Sequence, residues 1–524
     1  MNYPDSYLAL FRATLPETVL EITALLVLIA DLGVVRKAAL KTRVAVASLL
    51  GVVGCIVAIW AVYAAGNAAF SVDGGMLIGV NDTIIVAQVG LLVLTALTLL
   101  LFIEENFTKH IGEYVSVVLM AAAGGLIISA ARDLLVIFVG LELLSLGLYI
   151  LTAFAKKSGK SAEAAMKYYL FGGMSAAFLL FGFSYFYGLT GSTNLTVIEW
   201  RIAYSGPTPL FYVAWVLVVA GLGFKIAAVP FQLWAPDTYE GAPAPAAAFI
   251  ASVSKVASFA LLLTLSLKWL EPDFPGDLVP EHALSLYYAS WPNVAIVLLV
   301  ASAASMVVGN LAALAQTSVR RLLAYSAIAH AGYILLGIAV HRNHFGQTDQ
   351  DIFAALAGES FITYRTVYAV LYYILTYGLT TIGAFGVVSV VERATGSDRL
   401  DSFLGLHKRN PILAAVLLVL FLSLAGIPPL VGFWAKFNLF AAVLNVGAGP
   451  VPFALVALAI AMSAVSLYYY LQVLKRAYVM PAVDESPIKA NPVTTLVLVA
   501  IAAAVVIMGC FPSLLQNWIA SFYA

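Results

Sequence analysis

The sequence predicts an all-α, polytopic membrane protein, and its composition and apolar patterning support this fold class. The 524 residues are 62% hydrophobic and 10% charged, whereas a soluble domain carries about 25% charged residues. Apolar runs of the length that crosses a bilayer, about 20 residues, recur from residue 17 to residue 511. The formal net charge is zero, which argues against a nucleic-acid partner because such a partner calls for a basic excess.

We predict about fourteen transmembrane helices from these runs. They cover approximately residues 17–35, 44–64, 84–103, 115–131, 134–154, 163–187, 209–230, 244–268, 292–314, 321–339, 362–391, 411–445, 451–474 and 494–511. The intervening polar stretches are too short to fold alone, so residues 1–524 are expected to form a single membrane domain. Most of the 27 basic residues fall in one set of alternate loops, which the positive-inside rule assigns to the cytoplasm. An even number of spans then places both termini on the opposite side.

Prolines interrupt the seventh and twelfth predicted spans, at Pro230 and at Pro428-Pro429. Proline removes a backbone donor and clashes with the preceding turn, and interrupted spans in corresponding positions of two halves point to a transport site. Because these spans are five apart, we predict two inverted five-helix repeats with broken helices 7 and 12. The alternatives are a plain helix end at Pro230 and a structural kink at Pro428-Pro429.

This repeat hypothesis divides the chain into four segments. We assign the N-terminal spans 1–3 to residues 1–114, the first repeat (spans 4–8) to 115–270, the second repeat (spans 9–13) to 292–476 and span 14 to 494–511.

Ionisable residues near the middle of apolar spans are the candidate functional residues: Glu142, Lys225, Lys255 and Lys436. A charge at such a depth costs roughly 2.5–3.5 kcal/mol on insertion scales, so it persists mainly where it faces protein or water. These residues therefore form a candidate proton or cation path. The alternative is that they are static buried ion pairs.

Two further residues are weaker candidates for the same path. Lys167 lies only a few residues inside span 6, so its long side chain could instead reach the membrane interface. His330 lies in mid-span, where a lone histidine can be either a relay or a satisfied core residue. Both stay candidates at this point.

Electrostatics gives the path a switching mechanism. A carboxylate about 5 Å from an ammonium group stabilises it by about 3 kcal/mol at an effective dielectric constant near 20. Gain or loss of the Glu142 charge is therefore expected to switch Lys225 between holding and releasing a proton. Lys255 and Lys436 then offer successive sites, with histidine or bound water bridging the longer gaps.

Redox and nucleotide chemistry is expected on other polypeptides. The two cysteines, Cys55 and Cys510, form no CxxC pair, which makes iron–sulfur clusters and structural zinc unexpected. No GxGxxG or Walker pattern occurs, so the fingerprints of dinucleotide and phosphate binding are absent from the sequence.

Four segments together resemble the antiporter-like membrane subunits of respiratory NADH:quinone oxidoreductase (complex I). They are EAAMKYYLFGGMSAAFLLFG (163–182), PFQLWAPDTYEGAPAPAAAFIASVSKVASF (230–259), SVRRLLAYSAIAHAGYILLG (318–337) and LSLAGIPPLVGFWAKF (422–437). The opening LPETVLEITALLVLIADL (15–32) and the lysines of SVSKVASF and FWAKF are most similar to the subunit N branch, the homologues of mitochondrial subunit 2.

The resemblance implies a fourteen-helix fold and a proton-translocating subunit of a bacterial inner-membrane complex, with both termini on the periplasmic side. It implies neighbouring antiporter-like subunits as partners, with NADH, flavin, iron–sulfur clusters and quinone bound by partner subunits and no cofactor on this chain. The family's relay positions fall on Glu142, Lys167, Lys225, Lys255 and Lys436.

One departure and two alternatives remain. Gln232 stands where the family usually has histidine, and glutamine can form hydrogen bonds but cannot titrate, so water or another residue replaces it or the position is structural. An Mrp-type cation/proton antiporter subunit shares these motifs. A non-transporting scaffold, in which the buried charges only fix helix packing, is the third interpretation.

Overall fold

A computed structural model describes residues 3–72, 75–268, 281–340, 360–446, 449–482 and 484–522. Helices dominate, and the predicted all-α polytopic fold is confirmed. Among the described residues, 12 helices are long and apolar enough to cross a membrane.

The helices are numbered here in chain order. The first are α1 Tyr3–Ala13, α2 Leu15–Ile29, α3 Leu40–Ala65, α4 Asp82–Phe102, α5 Ile111–Ala130, α6 Leu134–Thr152, α7 Gly159–Thr190, α8 Leu195–Ser205, α9 Pro209–Ile226 and α10 Trp234–Gly241. They continue with α11 Ala244–Ala251, α12 Val253–Lys268, α13 Glu281–Leu314, α14 Val319–Val340, α15 Ser360–Thr395, α16 Leu406–Arg409, α17 Pro411–Ala425, α18 Val431–Val446, α19 Pro450–Tyr478, α20 Pro492–Cys510 and α21 Ser513–Ala520.

Three predicted spans take a different form from a single α-helix. Span 1 is α2 followed by the π-helical segment Ala30–Val34. Span 12 is divided into α17 and α18, with the prolines between them. Span 8 is also interrupted, because α11 and α12 meet at Ser252, where the sequence contains neither proline nor glycine to signal a break.

A small β-hairpin occupies the predicted loop between spans 2 and 3. Its strands, β1 Ala69–Val72 and β2 Gly75–Gly79, pair antiparallel. Asn194 Nδ2 donates to the Met76 carbonyl at 2.5 Å, which ties the hairpin to the start of α8. Asp133 caps α6 by accepting from the Leu135 N–H at 2.8 Å, since an N-cap carboxylate satisfies a backbone donor that has no partner within the helix.

The centre of the molecule consists of spans 8, 10 and 11. The most apolar stretches of Ala244–Ser266, Val319–Val340 and Thr366–Thr395 are 100%, 94% and 89% buried, whereas that of α19 is 22% buried. Lys255 and His330 therefore lie on central helices, while α19 presents an apolar outer face. The division into two five-helix repeats stays a prediction.

Candidate functional site

The first helix break follows Lys225. Helix α9 ends at Ile226, and Ala227 adopts a left-handed conformation (φ 58°) with its N–H bonded to the carbonyls of Gly223 and Phe224. The Val229-Pro230 peptide is cis. Trp234 begins α10 and its Nε1 donates to the Phe224 carbonyl at 2.9 Å. The backbone groups around the break thus find protein partners, as membrane burial requires.

Lys225 lies in the last turn of α9 and is 7% exposed. Its Nζ donates to Ser145 Oγ of α6 at 2.5 Å. Glu142 is half-buried one turn before Ser145 on α6, and residues three apart share a helix face. Among the described residues, no Glu142–Lys225 ion pair forms directly, so Ser145 is the group that Lys225 contacts near Glu142.

Lys255 lies in the first turn of α12, just after the interruption at Ser252, and is 3% exposed. Its Nζ donates to the Ala327 carbonyl of α14 at 2.7 Å. The ammonium group also lies 5.9 Å from the centre of the Tyr377 ring, within the range of a cation–π interaction. Lys255 therefore joins the first half of the chain to α14 and α15.

His330 also packs against this tyrosine. Its ring centre is 4.8 Å from that of Tyr377, its Nδ1 is 2.9 Å from the Tyr373 hydroxyl and its Nε2 is 3.5 Å from the Tyr470 hydroxyl. Both ring nitrogens therefore have partners. This arrangement suits a satisfied core histidine as well as a relay, and the relay role stays a prediction.

The second helix break precedes Lys436. Helix α17 ends at Ala425, Gly426 is left-handed (φ 87°) and the Pro428-Pro429 peptide is cis. Lys436 is 6% exposed. Its Nζ donates to the carbonyls of Leu424 at 3.1 Å and Ala425 at 2.8 Å, and to Ser463 Oγ at 2.8 Å. An ammonium group at a helix C-terminus satisfies free carbonyls and is favoured by the helix dipole.

A small cavity separates His330 from this second break. Its polar lining comes from His330, Tyr373, Thr376, Tyr377, Thr380 and Ser423. The volume open to the centre of a water molecule is about 10 Å³, which is near the space that one water needs. A water molecule there would face both the histidine and the end of α17.

Lys167 does not join the buried row. Its side chain is 41% exposed and forms ion pairs with Asp237 and Glu163, each at 2.7 Å. Asp237 also pairs with Arg321 at 2.5 Å. Burial opposes ionisation of Asp237, but hydrogen bonds from Lys167 and Arg321 outweigh it and lower the pKa of the carboxyl group. Lys167 thus belongs to an ion cluster that holds α10 against α7 and α14.

Gln232 lies within the first break and is half-buried. Its Oε1 is buried and has no hydrogen-bond partner among the described residues. Buried polar atoms are normally satisfied by protein or ordered water. The position therefore has an acceptor ready for water, whereas the family's histidine would supply a titratable ring.

The partners of the buried lysines were not identified from the sequence. Ser145, Ser463 and Tyr377 are ordinary residues in apolar helices, and they meet the lysines only through long-range packing. The i, i+4 spacing of Tyr373 and Tyr377 is the sequence feature that could have indicated these partners, since it places two ring hydroxyls on one face of a helix. Within the described part of the chain, no group of three or more His, Cys, Asp or Glu residues could hold a metal ion.

The fold and site define a polytopic membrane protein of the ion-transporter class, with buried lysines at the ends of broken helices. The family model described as NADH:quinone oxidoreductase/Mrp antiporter, TM, matches residues 131–273, 281–349 and 352–465, and the chain belongs to this family. The resemblance seen in the motifs is thereby confirmed.

Relatives along the whole chain carry the subunit N name. NADH-quinone oxidoreductase subunit N 2 of Acidobacterium capsulatum is 45% identical, over 98% of this chain and 99% of the relative. NADH-quinone oxidoreductase subunit N of Desulfovibrio desulfuricans is 36% identical, over 98% and 97%.

Two solved structures share the fold. A chain of respiratory complex I from Thermus thermophilus with bound aureothin has a TM-score of 0.72 at 32% identity, covering 96% of this chain and 98% of that chain. The Mrp complex from a Dietzia species has a TM-score of 0.76 at 22% identity, covering 97% of this chain and 51% of that chain, and shows the fold alone.

Proposed function

We propose that this chain is the proton-translocating subunit N of a bacterial NADH:quinone oxidoreductase. It couples electron transfer from NADH to quinone, carried out on partner subunits, to proton movement through its own buried Glu and Lys residues. The full-length relatives named subunit N support the assignment. The observation that carries the transport role is the row of buried lysines, each hydrogen-bonded to a polar group of another helix or of the far side of a break.

The relay begins at the first break. The Lys225 ammonium donates to the Ser145 hydroxyl and interacts electrostatically with Glu142, so loss of the Glu142 charge removes favourable electrostatic energy from the protonated Lys225. Ser145 can donate and accept a hydrogen bond at once. It is therefore suited to hold Lys225 in place while the proton leaves.

Lys255 and His330 form the centre of the relay. Tyr377 contacts both side chains, and the cavity beside His330 has room for a water molecule facing the second break. The Tyr373 hydroxyl beside His330 Nδ1, the imidazole itself and the water site would then carry a proton from Lys255 towards Lys436. Lys436 is the last site of the row, held by the carbonyl end of α17.

The remaining details of the assignment belong to the same proposal. Lys167 acts at the cytoplasmic end, where its ion cluster positions α10, and both termini lie on the periplasmic side. NADH, flavin, iron–sulfur clusters and quinone are bound by partner subunits, among them the neighbouring antiporter-like subunits. An Mrp-type cation/proton antiporter is the alternative, and replacement of H⁺ transport by Na⁺ transport in a sodium gradient assay would favour it.

The experiment that separates transport from scaffolding uses Lys436→Ala in the assembled complex. Because general acid–base groups contribute about 100-fold or more, NADH-driven proton uptake into inverted membrane vesicles should fall at least about tenfold while the amount of complex in the membrane stays normal. A Lys436→Ala complex that pumps at the wild-type rate would reject the relay. Loss of the complex itself would favour the scaffold.

A further inference from the structure

A second cavity lies between α4, α11, α15 and α20, at the end of the helices that the proposed orientation assigns to the cytoplasm. Its polar lining consists of Glu105, Ser389, Arg393 and Thr494, and Phe385 forms part of its apolar wall. The volume open to the centre of a water molecule is about 10 Å³, close to the requirement of one water. None of these residues belongs to the lysine row described above.

Glu105 is the carboxylate that lines this cavity, and its ion pair with Arg393 is long. Its side chain is 11% exposed, and its Oε1 accepts from Ser389 Oγ at 2.5 Å and from Arg393 Nη1 at 3.5 Å. The adjacent Glu104 takes the closer pairing, with Arg393 Nη2 at 2.8 Å. Arg393 is therefore held mainly by Glu104, and Glu105 is free to change its charge.

The charged and titratable surroundings of Glu105 agree with such a change. Burial raises the pKa of Glu105, and the Ser389 hydrogen bond and the positive charges of Arg393 and Arg320 oppose this only in part, while Glu392 adds to it. Tyr114 of α5 also lies within electrostatic range. A carboxyl group raised in this way takes up a proton closer to neutral pH than an exposed one.

Unpartnered hydroxyl groups mark a course from this cavity to Lys255. Among the described residues, the side-chain oxygens of Thr494 and Tyr239 are buried and have no protein partner, and the buried Thr381 hydroxyl lies within reach of the Tyr377 hydroxyl. Tyr239 packs against Phe385 of the cavity wall, with 5.7 Å between ring centres. Buried hydroxyls of this kind are usually satisfied by ordered water.

Helix α15 runs from the cavity to Lys255 and connects these hydroxyl groups. Phe385, Thr381 and Tyr377 follow one another at intervals of four residues on one face of the helix, and the Tyr377 ring contacts the Lys255 ammonium. Ser389 and Tyr377 are separated by about 18 Å along the helix. Several water-bridged steps are therefore required, and the hydroxyls supply fixed points for them.

We infer that Glu105 is the proton-uptake residue that supplies Lys255 from the cytoplasmic side, through water held by Tyr239 and Thr381. The Glu105 carboxylate takes a proton from cytoplasmic water and becomes a carboxylic acid. It then passes the proton along the water-bridged hydroxyls to the neutral Lys255 amine, which becomes an ammonium ion, and Glu105 returns to the carboxylate. This inference rests on the proposed proton-translocating function.

The test is Glu105→Gln in the complete complex, with Glu485→Gln, which changes an exposed carboxylate away from this cavity, as the matched control. In inverted vesicles the cytoplasmic face is outside, so the external pH sets the pH at Glu105. Because a proton-transfer group contributes about 100-fold or more, pumping by Glu105→Gln should fall about tenfold, most strongly at alkaline external pH. Glu105→Asp should restore most of the rate, and Glu485→Gln should leave the rate close to that of the wild type.

A second variant covers the case in which Glu105→Gln fails to assemble. Thr381→Val keeps the shape and the ion pairs but removes the hydroxyl, and it should slow pumping by about threefold or more. The uptake role would be overturned, and the relay left intact, by a wild-type pH profile for Glu105→Gln while Lys436→Ala pumps poorly. Where Glu105→Gln does not assemble, a wild-type rate for Thr381→Val would overturn it in the same way. Wild-type pumping by Lys436→Ala would instead reject the proposed function itself.

Discussion

The two helix breaks are built alike but place their lysines on opposite sides in sequence. Ala227 and Gly426 are both left-handed, and a cis proline follows each three residues later. Trp234 begins the helix after the first break, and Trp434 lies in the first turn of the helix after the second break. The indole N–H of each tryptophan donates to a backbone carbonyl. Lys225 precedes its break, whereas Lys436 follows its break.

Both lysines nonetheless lie at the end of the helix that precedes the break. Lys436 reaches back to the carbonyl of Leu424, which lies two residues before Gly426, as Lys225 lies two residues before Ala227. Each charge therefore sits at the C-terminal end of the half-helix that precedes the break, where the helix dipole favours a cation. The C-terminal end of the half-helix therefore determines where the ammonium group lies, whether the lysine precedes or follows the break in the sequence.

The two sites differ in how firmly the charge is held. Among the described residues, the Lys225 ammonium donates one side-chain hydrogen bond, to the Ser145 hydroxyl, and the Glu142 charge acts on it electrostatically. Lys436 has two carbonyls and a serine hydroxyl. We therefore expect the first site to respond to its surroundings and the second to be buffered against the loss of any one partner.

The largest expected difference comes from removing the serine at each break. Ser145→Ala leaves the Lys225 ammonium without its direct partner, and an unsatisfied buried charge costs about 1–3 kcal/mol or more, so pumping should fall about tenfold. Ser463→Ala leaves Lys436 with two carbonyls, and pumping should fall less than about twofold. NADH-driven acidification of inverted vesicles measures both. Equal losses in the two variants would contradict the asymmetry.

Next in size is Gly426→Ala, which forces a side chain into the second break. The residue is left-handed (φ 87°), and an added Cβ would stand 3.0 Å from Lys436 Cδ. The left-handed conformation costs an alanine about 1–2 kcal/mol, so the complex should inactivate at a lower temperature and Lys436 should be displaced. A thermal inactivation curve indistinguishable from wild type would argue that the second break relaxes freely.

A smaller effect is expected from Asp237→Asn, which acts on the first break alone. The substitution removes the ion pairs that hold α10, at a cost of about 1 kcal/mol or less because the cluster is partly exposed. Since folding lowers the pKa of Asp237, this stabilisation is complete above the ordinary value of about 3.9 and is lost as the pH falls through the lowered one. Proteolysis of α10 as a function of pH provides the measurement, with Glu163→Gln as the control on α7.

The smallest effect is expected from Ala227→Gly, the counterpart of Gly426→Ala. Glycine relieves the left-handed strain at φ 58°, but it also gives the unfolded chain more freedom, worth about 0.4–1 kcal/mol. The thermal inactivation temperature should therefore change little, and pumping should stay normal. A large loss of pumping would show that Ala227 has a role beyond closing α9.

The sequence was informative where a local signal existed. Lys225, Lys255 and Lys436 stood out because charge is costly in an apolar span, and the structure buries all three. Pro230 and Pro428-Pro429 marked the interruptions of spans 7 and 12 because proline cannot continue a helix there.

Other features depend on packing between distant parts of the chain. The Ser145–Lys225 contact joins residues 80 positions apart, and serine is too common to single out. The interruption at Ser252 carries no proline or glycine, and the exposed ion pairs of Lys167 depend on where α10 folds back. Such features follow from tertiary structure, which overrides local preference.

The most direct measurement of the central claim is the number of protons moved per NADH oxidised by a complex carrying Lys255→Met. Methionine fills a similar volume without a titratable group, so packing of α12 should survive while the connection between the two breaks is lost. We predict a ratio clearly below that of the wild-type complex, with normal assembly. A wild-type ratio would contradict a continuous proton path through this chain.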